Sequence, residues 1–530
     1  MTVGDLVVAQ LLGAGVKALF GVPGGGGNLD LIAAAGRAGL PFVLTSTETA
    51  GAIAAIAQAE VTGAPGACLT TLGPGAASVV NGVACAFLER APIVVFTDSQ
   101  SAPFDHQRID HAALMAPITK WSGILRSDSV LQVLVPALLE ATHGRPGPVH
   151  VDCPGGVATS TMASTFDNAI VQFEESGPSS DDRSRLETLL TAARKPLLLV
   201  GLGARRPADA AAIRSFCAAR NIPAMVTYKA KGVVPDDHPW FAGVFTNAAI
   251  EQPMIDECDL LIGVGLDPVE LIPRAWQRTQ PIVYCGPWRA EDAHVPFAAQ
   301  LVTDVATAVR EIEVMVAPSV WDPDRVRGHL VEQRRQIDVP ASGLSAQQVV
   351  KIAASRLAAA GRVTVDAGAH MFPATMLWPV SCPSGMLLSN GLSTMGFALP
   401  AAIGAALLDR ERPVTALTGD GGLLMCAGEL LTAAREKLRI ITIVFSDASL
   451  SLIEIKQQAR RLEPSGVALG EIDWPALARS VGVRSWVVTT EAELDRAAGD
   501  ALACEGPALI EARIDRSNYG ATLRAVRGAS

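Results

Sequence analysis

The chain has 530 residues, which leaves room for roughly three or four domains at about 150 residues each. Its 49% apolar, 18% charged and 5% aromatic composition is that of an Ala/Gly/Val-rich globular protein and excludes a disordered or fibrous one. A net charge of -10, from 43 basic and 53 acidic residues, offers no basic field for nucleic acid or an anionic membrane, so neither is an expected partner.

The opening stretch MTVGDLVVAQLLGAG carries Asp5 inside its apolar run and has no basic leader, so it reads as the first helix of the fold and not as a secretion signal. The first third then alternates short β-branched runs (Pro41 to Leu44, Ala67 to Thr71, Ile93 to Thr97) with Ala-rich helical stretches (Ala50 to Glu60, Ala76 to Phe87). That alternation predicts βαβ units around a parallel sheet. The polar stretch Phe173 to Arg185 reads as a linker. A second α/β segment follows, with strands at Pro196 to Val200, Leu260 to Val264 and Pro281 to Tyr284, and the stretch Ala317 to Ser342 reads as a second linker. The last third repeats the rhythm with strands at Val363 to Asp366, Val414 to Thr418 and Ile440 to Phe445. The expectation is an α/β protein of three doubly wound parallel-sheet domains, spanning 1-172, 186-318 and 343-530. The longest uncharged apolar runs, such as Phe397 to Leu408, fall short of the ~18 residues of a membrane span. The 9 cysteines are scattered with no CxxC pair, which points to reduced thiols and a cytoplasmic location.

The chemistry concentrates in residues 413 to 447: a strand, Gly419-Asp420-Gly421-Gly422, an amphipathic helix from Leu423 to Lys437, a second strand, then Ser446-Asp447. In a parallel sheet, ligands bind beyond the carboxyl ends of the strands, where Asp420 and Asp447 both fall. The glycines permit close backbone approach, and a following helix presents free N–H groups to an anion. A carboxylate beside a phosphate-type site points to a bridging Mg²⁺, which commonly takes only one or two protein carboxylates. Read without its surroundings, Asp420 is equally a helix-capping residue.

The whole stretch resembles the signature of the thiamine diphosphate (ThDP)-dependent enzymes: GDG, a helix with Glu-Leu (here Glu429-Leu430), then a strand ending in Asn-Asn (here Ser446-Asp447). The resemblance extends over the chain. Phe20-Gly21-Val22-Pro23-Gly24, Glu48 ahead of an Ala-rich helix, and Gly73-Pro74-Gly75 occur in the family's order. Gly391 to Ala402 and Asp366-Ala367-Gly368-Ala369-His370 resemble the acetolactate synthase branch, and Lys229 to Pro239 with Gly265 to Glu270 resemble its flavin-free catabolic members. The resemblance implies a pyrimidine-binding first domain, a Rossmann-like middle domain and a diphosphate-binding third domain. It assigns the cofactor to Gly368, Ala369, His370, Ser393, Met395, Gly419, Asp420, Gly421, Gly422 and Asp447. Mg²⁺ falls to the side chains of Asp420 and Asp447 and the carbonyl of Ser449. Glu48 becomes the carboxylate beside N1′ of the aminopyrimidine, where it favours the protonated ring and lets the 4′-amino group move a proton. Met395 matches the bulky residue under the bent cofactor, and Ser393 the carbonyl that accepts from the 4′-amino group.

Substrate-side candidates are Asn28, His106, Gln107, Leu452 and Ile453. His106 and His111 have the titration range of acid/base groups and, equally, of surface loop histidines. The chain departs from the family at Thr47 (often His), Ala77-Ser78 (Thr-Asn), His106 (Phe), Ser446 and Asp447 (both Asn). The implied activity is decarboxylation of a 2-oxo acid with or without carboligation. A lyase of 2-hydroxy ketones or 2-hydroxyacyl-CoA, a flavin-dependent 2-oxo acid oxidase and an inert homologue remain as alternatives. Such enzymes join the first and third domains across a subunit contact, so a homodimer or a dimer of dimers is expected.

Overall fold

In the computed structural model, residues 1–99, 106–161, 180–290 and 294–528 are described. They form three six-stranded sheets. The first contains β1 (Leu19–Gly21), β2 (Phe42–Leu44), β3 (Gly66–Thr70), β4 (Ile93–Ser99), β5 (Trp121–Ile124) and β6 (Val149–Pro154). The second contains β7 (Pro196–Val200), β8 (Ala224–Val226), β9 (Phe241–Val244), β10 (Leu260–Val264), β11 (Ile282–Gly286) and β12 (Phe297–Val302). The third contains β13 (Arg362–Val365), β14 (Met386–Leu388), β15 (Val414–Gly419), β16 (Ile440–Ser446), β17 (Arg484–Val488) and β18 (Ala508–Arg513). Every neighbouring pair is parallel, as the alternation of strands and helices predicts.

The strand orders separate the sheets by kind. The first runs β2-β1-β3-β4-β6-β5 and the third β14-β13-β15-β16-β18-β17, which is the same order counted from each sheet's own first strand. The middle sheet, β12-β11-β10-β7-β8-β9, has the doubly wound order whose direction reverses between β7 and β10. The first helix, Val3–Gly13, begins at a capping box in which Thr2 and Asp5 satisfy each other's backbone N–H.

The first and third domains share one core. Helix Glu48–Thr62, capped by the Thr47 hydroxyl at Ala50 N–H, is buried almost all round. It lies against helix Ala398–Ala406 with small residues on both sides, among them Ala54, Ala57, Ala401 and Ala405. A Cβ on Gly404 would collide with the Ala54 carbonyl, so this crossing requires glycine. Much of the alanine excess is therefore spent on helix pairs within the chain.

Both expected linkers are partly helical. Residues 173–179 lie outside the described residues, but Ser180–Arg185 open helix Ser180–Ala192, where Asp181 and Asp182 suit the positive end and Leu186 and Leu190 are buried. Helix Pro323–Ile337 runs through the second, capped by Asp322 and with Pro323 at its first position. Its buried stripe is Val326, His329, Gln333 and Ile337, so helical spacing is present while half of the stripe is polar, which hid it from a hydrophobicity reading. The stretch read as one helix from Leu423 to Lys437 is two, Asp420–Cys426 and Glu429–Arg435. The break falls at Gly428, where a Cβ would approach the Ser46 Oγ to 2.8 Å. All nine cysteines lie among the described residues and none forms a disulfide. Among the described residues, no helix is long and apolar enough to cross a membrane.

Candidate active site

Strands β13, β15 and β16 are neighbours, and the loops leaving their carboxyl ends enclose a cavity of about 260 Å³. Gly368, Ala369 and His370 line it after β13, Gly419, Asp420, Gly421 and Gly422 after β15, and Asp447, Ser449, Leu452 and Ile453 after β16. Ser393 and Met395 complete it, so the structure brings together all the third-domain residues singled out in the sequence. The sequence reading missed Phe445, Leu450, Ser451, Lys456 and Tyr519 on the same wall. Lys456 follows Leu452 by one helical turn, which is a readable signal; Tyr519 arrives from a distant helix and has none.

Two carboxylates dominate the electrostatics. Asp420 is 3% exposed; its Oδ1 accepts from Gly421 N–H at 2.8 Å and its Oδ2 from Asp447 N–H at 3.1 Å and Ala448 N–H at 2.7 Å. Gly419 occupies the capping position, so Asp420 is the first residue of its helix and not the cap. Asp447 accepts from Ser449 N–H at 3.1 Å and from the Ser451 hydroxyl at 2.7 Å. Burial pushes both carboxyls up, Asp447 to about 6, and the Asp420 charge adds to the rise at Asp447. Arg516, the cation that acts on Asp447 through space, is already paired with Glu454 at 2.7 Å. Among the described residues no group of three or more His, Cys, Asp or Glu could hold a metal, so a cation here would complete its shell with backbone, water or ligand oxygens.

Two further groups shape the floor. Asp366, fully buried and pushed up to about 6 by burial, accepts from Gly396 N–H (3.0 Å), Phe397 N–H (3.2 Å) and the Thr418 hydroxyl (2.9 Å). It ties the Met395 turn to the end of β15. His370 stacks on Phe445 with centroids 5.0 Å apart, burial lowers it to about 4, and its Nε2 has no hydrogen-bond partner. A neutral imidazole with an unsatisfied nitrogen in the cavity wall fits a polar ligand.

The first sheet presents a second set at its own carboxyl ends. Glu48, half-buried, follows β2; Gly75, after β3, is where a Cβ would come 3.2 Å from the Glu48 Oε1. Asn28 is 2% exposed; it donates its N–H to Asp98 Oδ1 (2.6 Å) and accepts from Gly24 N–H (3.2 Å). Gln107, at φ 58°, lays its carbonyl over Gly73, and both His106 and Gln107 are exposed. None of Glu48, Asn28, His106 and Gln107 lines the third-domain cavity.

His111 is neither a surface histidine nor an acid/base group facing solvent. It is 5% exposed, accepts Gly73 N–H at Nε2 (3.2 Å) and meets Asp152 through Nδ1 (3.1 Å), so the proton sits on Nδ1 and the ring props the Gly73-Pro74-Gly75 turn. Burial would raise the Asp152 carboxyl, but hydrogen bonds from His111, His150 and Thr97 hold it below the usual carboxylate range.

In the middle domain, the Gly201-Leu202-Gly203 turn lies where the strand order reverses. Leu202 N–H donates to Glu270 Oε2 at 2.9 Å, the Thr227 hydroxyl donates to Oε1, and a Cβ on Gly201 would come 2.6 Å from Oε2. The chain's own carboxylate thus occupies the place beside this turn.

Three family descriptions match the chain: "Thiamine pyrophosphate enzyme, N-terminal TPP binding domain" over residues 1–116, its central domain over 184–312, and its C-terminal TPP binding domain over 366–512. An acetolactate synthase isozyme 2 large subunit from Escherichia coli (strain K12) is 30% identical, with 96% of this chain and 95% of the relative covered. The chain belongs to the thiamine pyrophosphate enzyme family. A catabolic acetolactate synthase from Raoultella terrigena is 28% identical (96% and 94% covered). A Pseudomonas aeruginosa protein described as a probable 2-ketoarginine decarboxylase is 29% identical (97% and 94% covered). The three sheets coincide with the three TPP enzyme domains, and the protein is a ThDP-dependent enzyme of the carboligase and decarboxylase type.

Burial pushes the Glu270 carboxyl up to about 8. A carboxyl raised in the folded state binds protons there that the unfolded chain has already released, so its contribution to stability is full below the unfolded value and is lost as pH rises through about 8. Glu270→Gln is therefore expected to flatten the fall in unfolding temperature between about pH 5 and 8; an unchanged slope contradicts the assignment.

Proposed function

We propose that this ThDP enzyme decarboxylates a 2-oxo acid, with or without joining the product to a second carbonyl, in a site completed by a second copy of the chain. The observation that carries this is the split site: the cavity holds the whole third-domain set, while Glu48 lies at the equivalent end of the first sheet and outside that cavity. Exposed apolar residues Leu424, Met425 and Leu431 lie on the two helices that follow Asp420, and exposed Leu44 accepts from Arg435 through its carbonyl. A closed two-fold contact covering this face gives each cavity a Glu48 from the other chain.

The residues present fit the cofactor and its metal. Asp420 and Asp447 supply two carboxylates that form no ion pair among the described residues, and the Ser449 carbonyl follows on the same loop; this set suits Mg²⁺ beside a diphosphate. An Asp at 447 in place of the family's Asn adds negative charge, which makes metal occupancy more necessary. His370 Nε2 is available to the diphosphate side, and Met395 and Ser393 shape the turn at the pyrimidine side. When bound, ThDP supplies the electron sink for a carbon–carbon bond next to a carbonyl. Glu48 holds the proton at N1′ of the aminopyrimidine. Leu452 and Ile453 present an apolar wall and exclude water, and Lys456 gives the cavity a cation suited to an anionic substrate carboxylate. The relatives named as acetolactate synthases and as a 2-ketoarginine decarboxylase support this reaction class.

Glu48→Gln is expected to bind ThDP with Mg²⁺ in calorimetry much as the parent does and to lose about 10²-fold or more in turnover of its 2-oxo acid. Near-normal turnover contradicts the assignment. Asp447 takes up a proton below about 6 in the metal-free protein, and a protonated carboxyl is no ligand. Mg²⁺-dependent ThDP binding therefore weakens as pH falls through about 6, and Asp447→Asn retains binding at neutral pH with a flatter profile; loss of binding in that variant contradicts the account.

A further inference from the structure

The turn that carries Ser393 and Met395 is held from below by a buried ionic cluster contributed by the first and middle domains. Glu89, the last residue of helix Val80–Glu89, is 1% exposed. Its Oε1 accepts from the Ser389 hydroxyl (3.0 Å), Gly391 N–H (2.9 Å) and Leu392 N–H (3.3 Å), three donors of one short loop. Its Oε2 pairs with Lys229 Nζ of the middle domain at 3.2 Å. Lys229, also 1% exposed, donates to the Leu388 carbonyl at 2.9 Å and to Glu60 Oε1, and Glu60 Oε2 meets Arg205 at 3.1 Å. Two cations thus face two carboxylates. Burial alone would lower the Lys229 ammonium, but the two carboxylates more than reverse that shift.

The loop above needs holding. Ser393 adopts φ 55°, a conformation that costs a non-glycine residue free energy and persists only where its surroundings impose it. Gly391 lies so close to helix Val80–Glu89 that a Cβ would come 2.7 Å from the Leu88 carbonyl. The Ser389 hydroxyl, fixed by Glu89, accepts Thr394 N–H at 3.1 Å, which carries the constraint to the residue between Ser393 and Met395.

We propose that Glu89 is a positioning residue for the cofactor turn: it clamps Ser389 to Leu392 so that Ser393 and Met395 are presented to the cavity before any ligand arrives, and Lys229 keeps it oriented. The functional half of this rests on the reading that Ser393 and Met395 meet ThDP. Glu60 provides a matched control, because its side chain shares Lys229 and does not touch the loop. Charge-assisted hydrogen bonds are roughly twice as strong as neutral ones, so losing the carboxylate is worth about tenfold in a local equilibrium. Hydrogen exchange of the Gly391 to Thr394 amides in the cofactor-free protein is expected to accelerate about tenfold or more in Glu89→Gln. ThDP affinity in the presence of Mg²⁺ weakens by a similar factor. Glu60→Gln, with a comparable fall in unfolding temperature, leaves both within about threefold. The double variant Glu89→Gln with Lys229→Met, which removes the leftover buried charge, loosens the same amides. Unchanged exchange in Glu89→Gln, or equal loosening in Glu60→Gln, overturns the proposal. Loosened exchange in a protein whose parent binds no ThDP would instead contradict the proposed function and leave the clamp standing.

Discussion

Asp420 and Asp447 face one another from the ends of two adjacent parallel strands, in a cavity where burial raises the cost of both charges. The strand pairing sets this opposition: Gly419 lies beside Phe445, so the residues that follow diverge into loops only a few ångströms apart. Asp420 then ties the loops together by accepting the N–H groups of Asp447 and Ala448. Among the described residues neither carboxylate forms an ion pair, and Arg516, the cation acting on Asp447 through space, is engaged with Glu454. A metal bound with an anionic cofactor would resolve the resulting negative field, and the unsatisfied His370 nitrogen and the glycines under the loops leave room for that pair.

The reactive half of the cofactor needs a second surface, and the fold supplies it by repeating itself. The first and third sheets have one strand order, so the loops bearing Gly24, Glu48 and Gly75 on the first sheet correspond to those bearing His370, Ser393 and Asp420 on the third. Their close Ala-rich helix contact fixes the two domains within the chain, with Glu48 outside the cavity at the third sheet's strand ends. The middle domain has the order of a nucleotide-binding sheet, yet Glu270 bonds the turn where a phosphate would approach. Its visible work is mechanical: Lys229 and Arg205 complete the charge balance beneath the cofactor turn, and Asn390 of that loop donates to the Glu270 carbonyl at 2.8 Å.

What could be read from the sequence was what is local. Strands β7 and β10 were placed to the residue because they are fully buried apolar runs bounded by Pro, Asp and Gly. The third-domain cavity was legible because its lining residues follow strands β13, β14, β15 and β16 in short contiguous motifs. The helix Pro323–Ile337 was missed because its buried face includes the polar His329 and Gln333, the latter bonded far along the chain: Gln333 donates to the Ile250 carbonyl at 3.3 Å. The break at Gly428 was invisible because the group packed against it, Ser46, is far away in sequence. The same holds for His111, whose role depends on Asp152 and Gly73, and for the cluster of Glu60, Glu89 and Lys229. Motifs reported which groups line the third-domain cavity; long-range packing decided which groups hold them in place.

The central claim is that each active site draws Glu48 from one chain and Asp420 from another. Coexpressing a Glu48→Gln chain with an Asp420→Ala chain, each inactive alone, tests it most directly. Mixed two-fold dimers then carry one site with both defects and one with neither, so purified mixtures should recover about a quarter of the parent turnover. Activity no higher than that of the two variants assayed separately would mean that Glu48 and Asp420 serve a site within one chain.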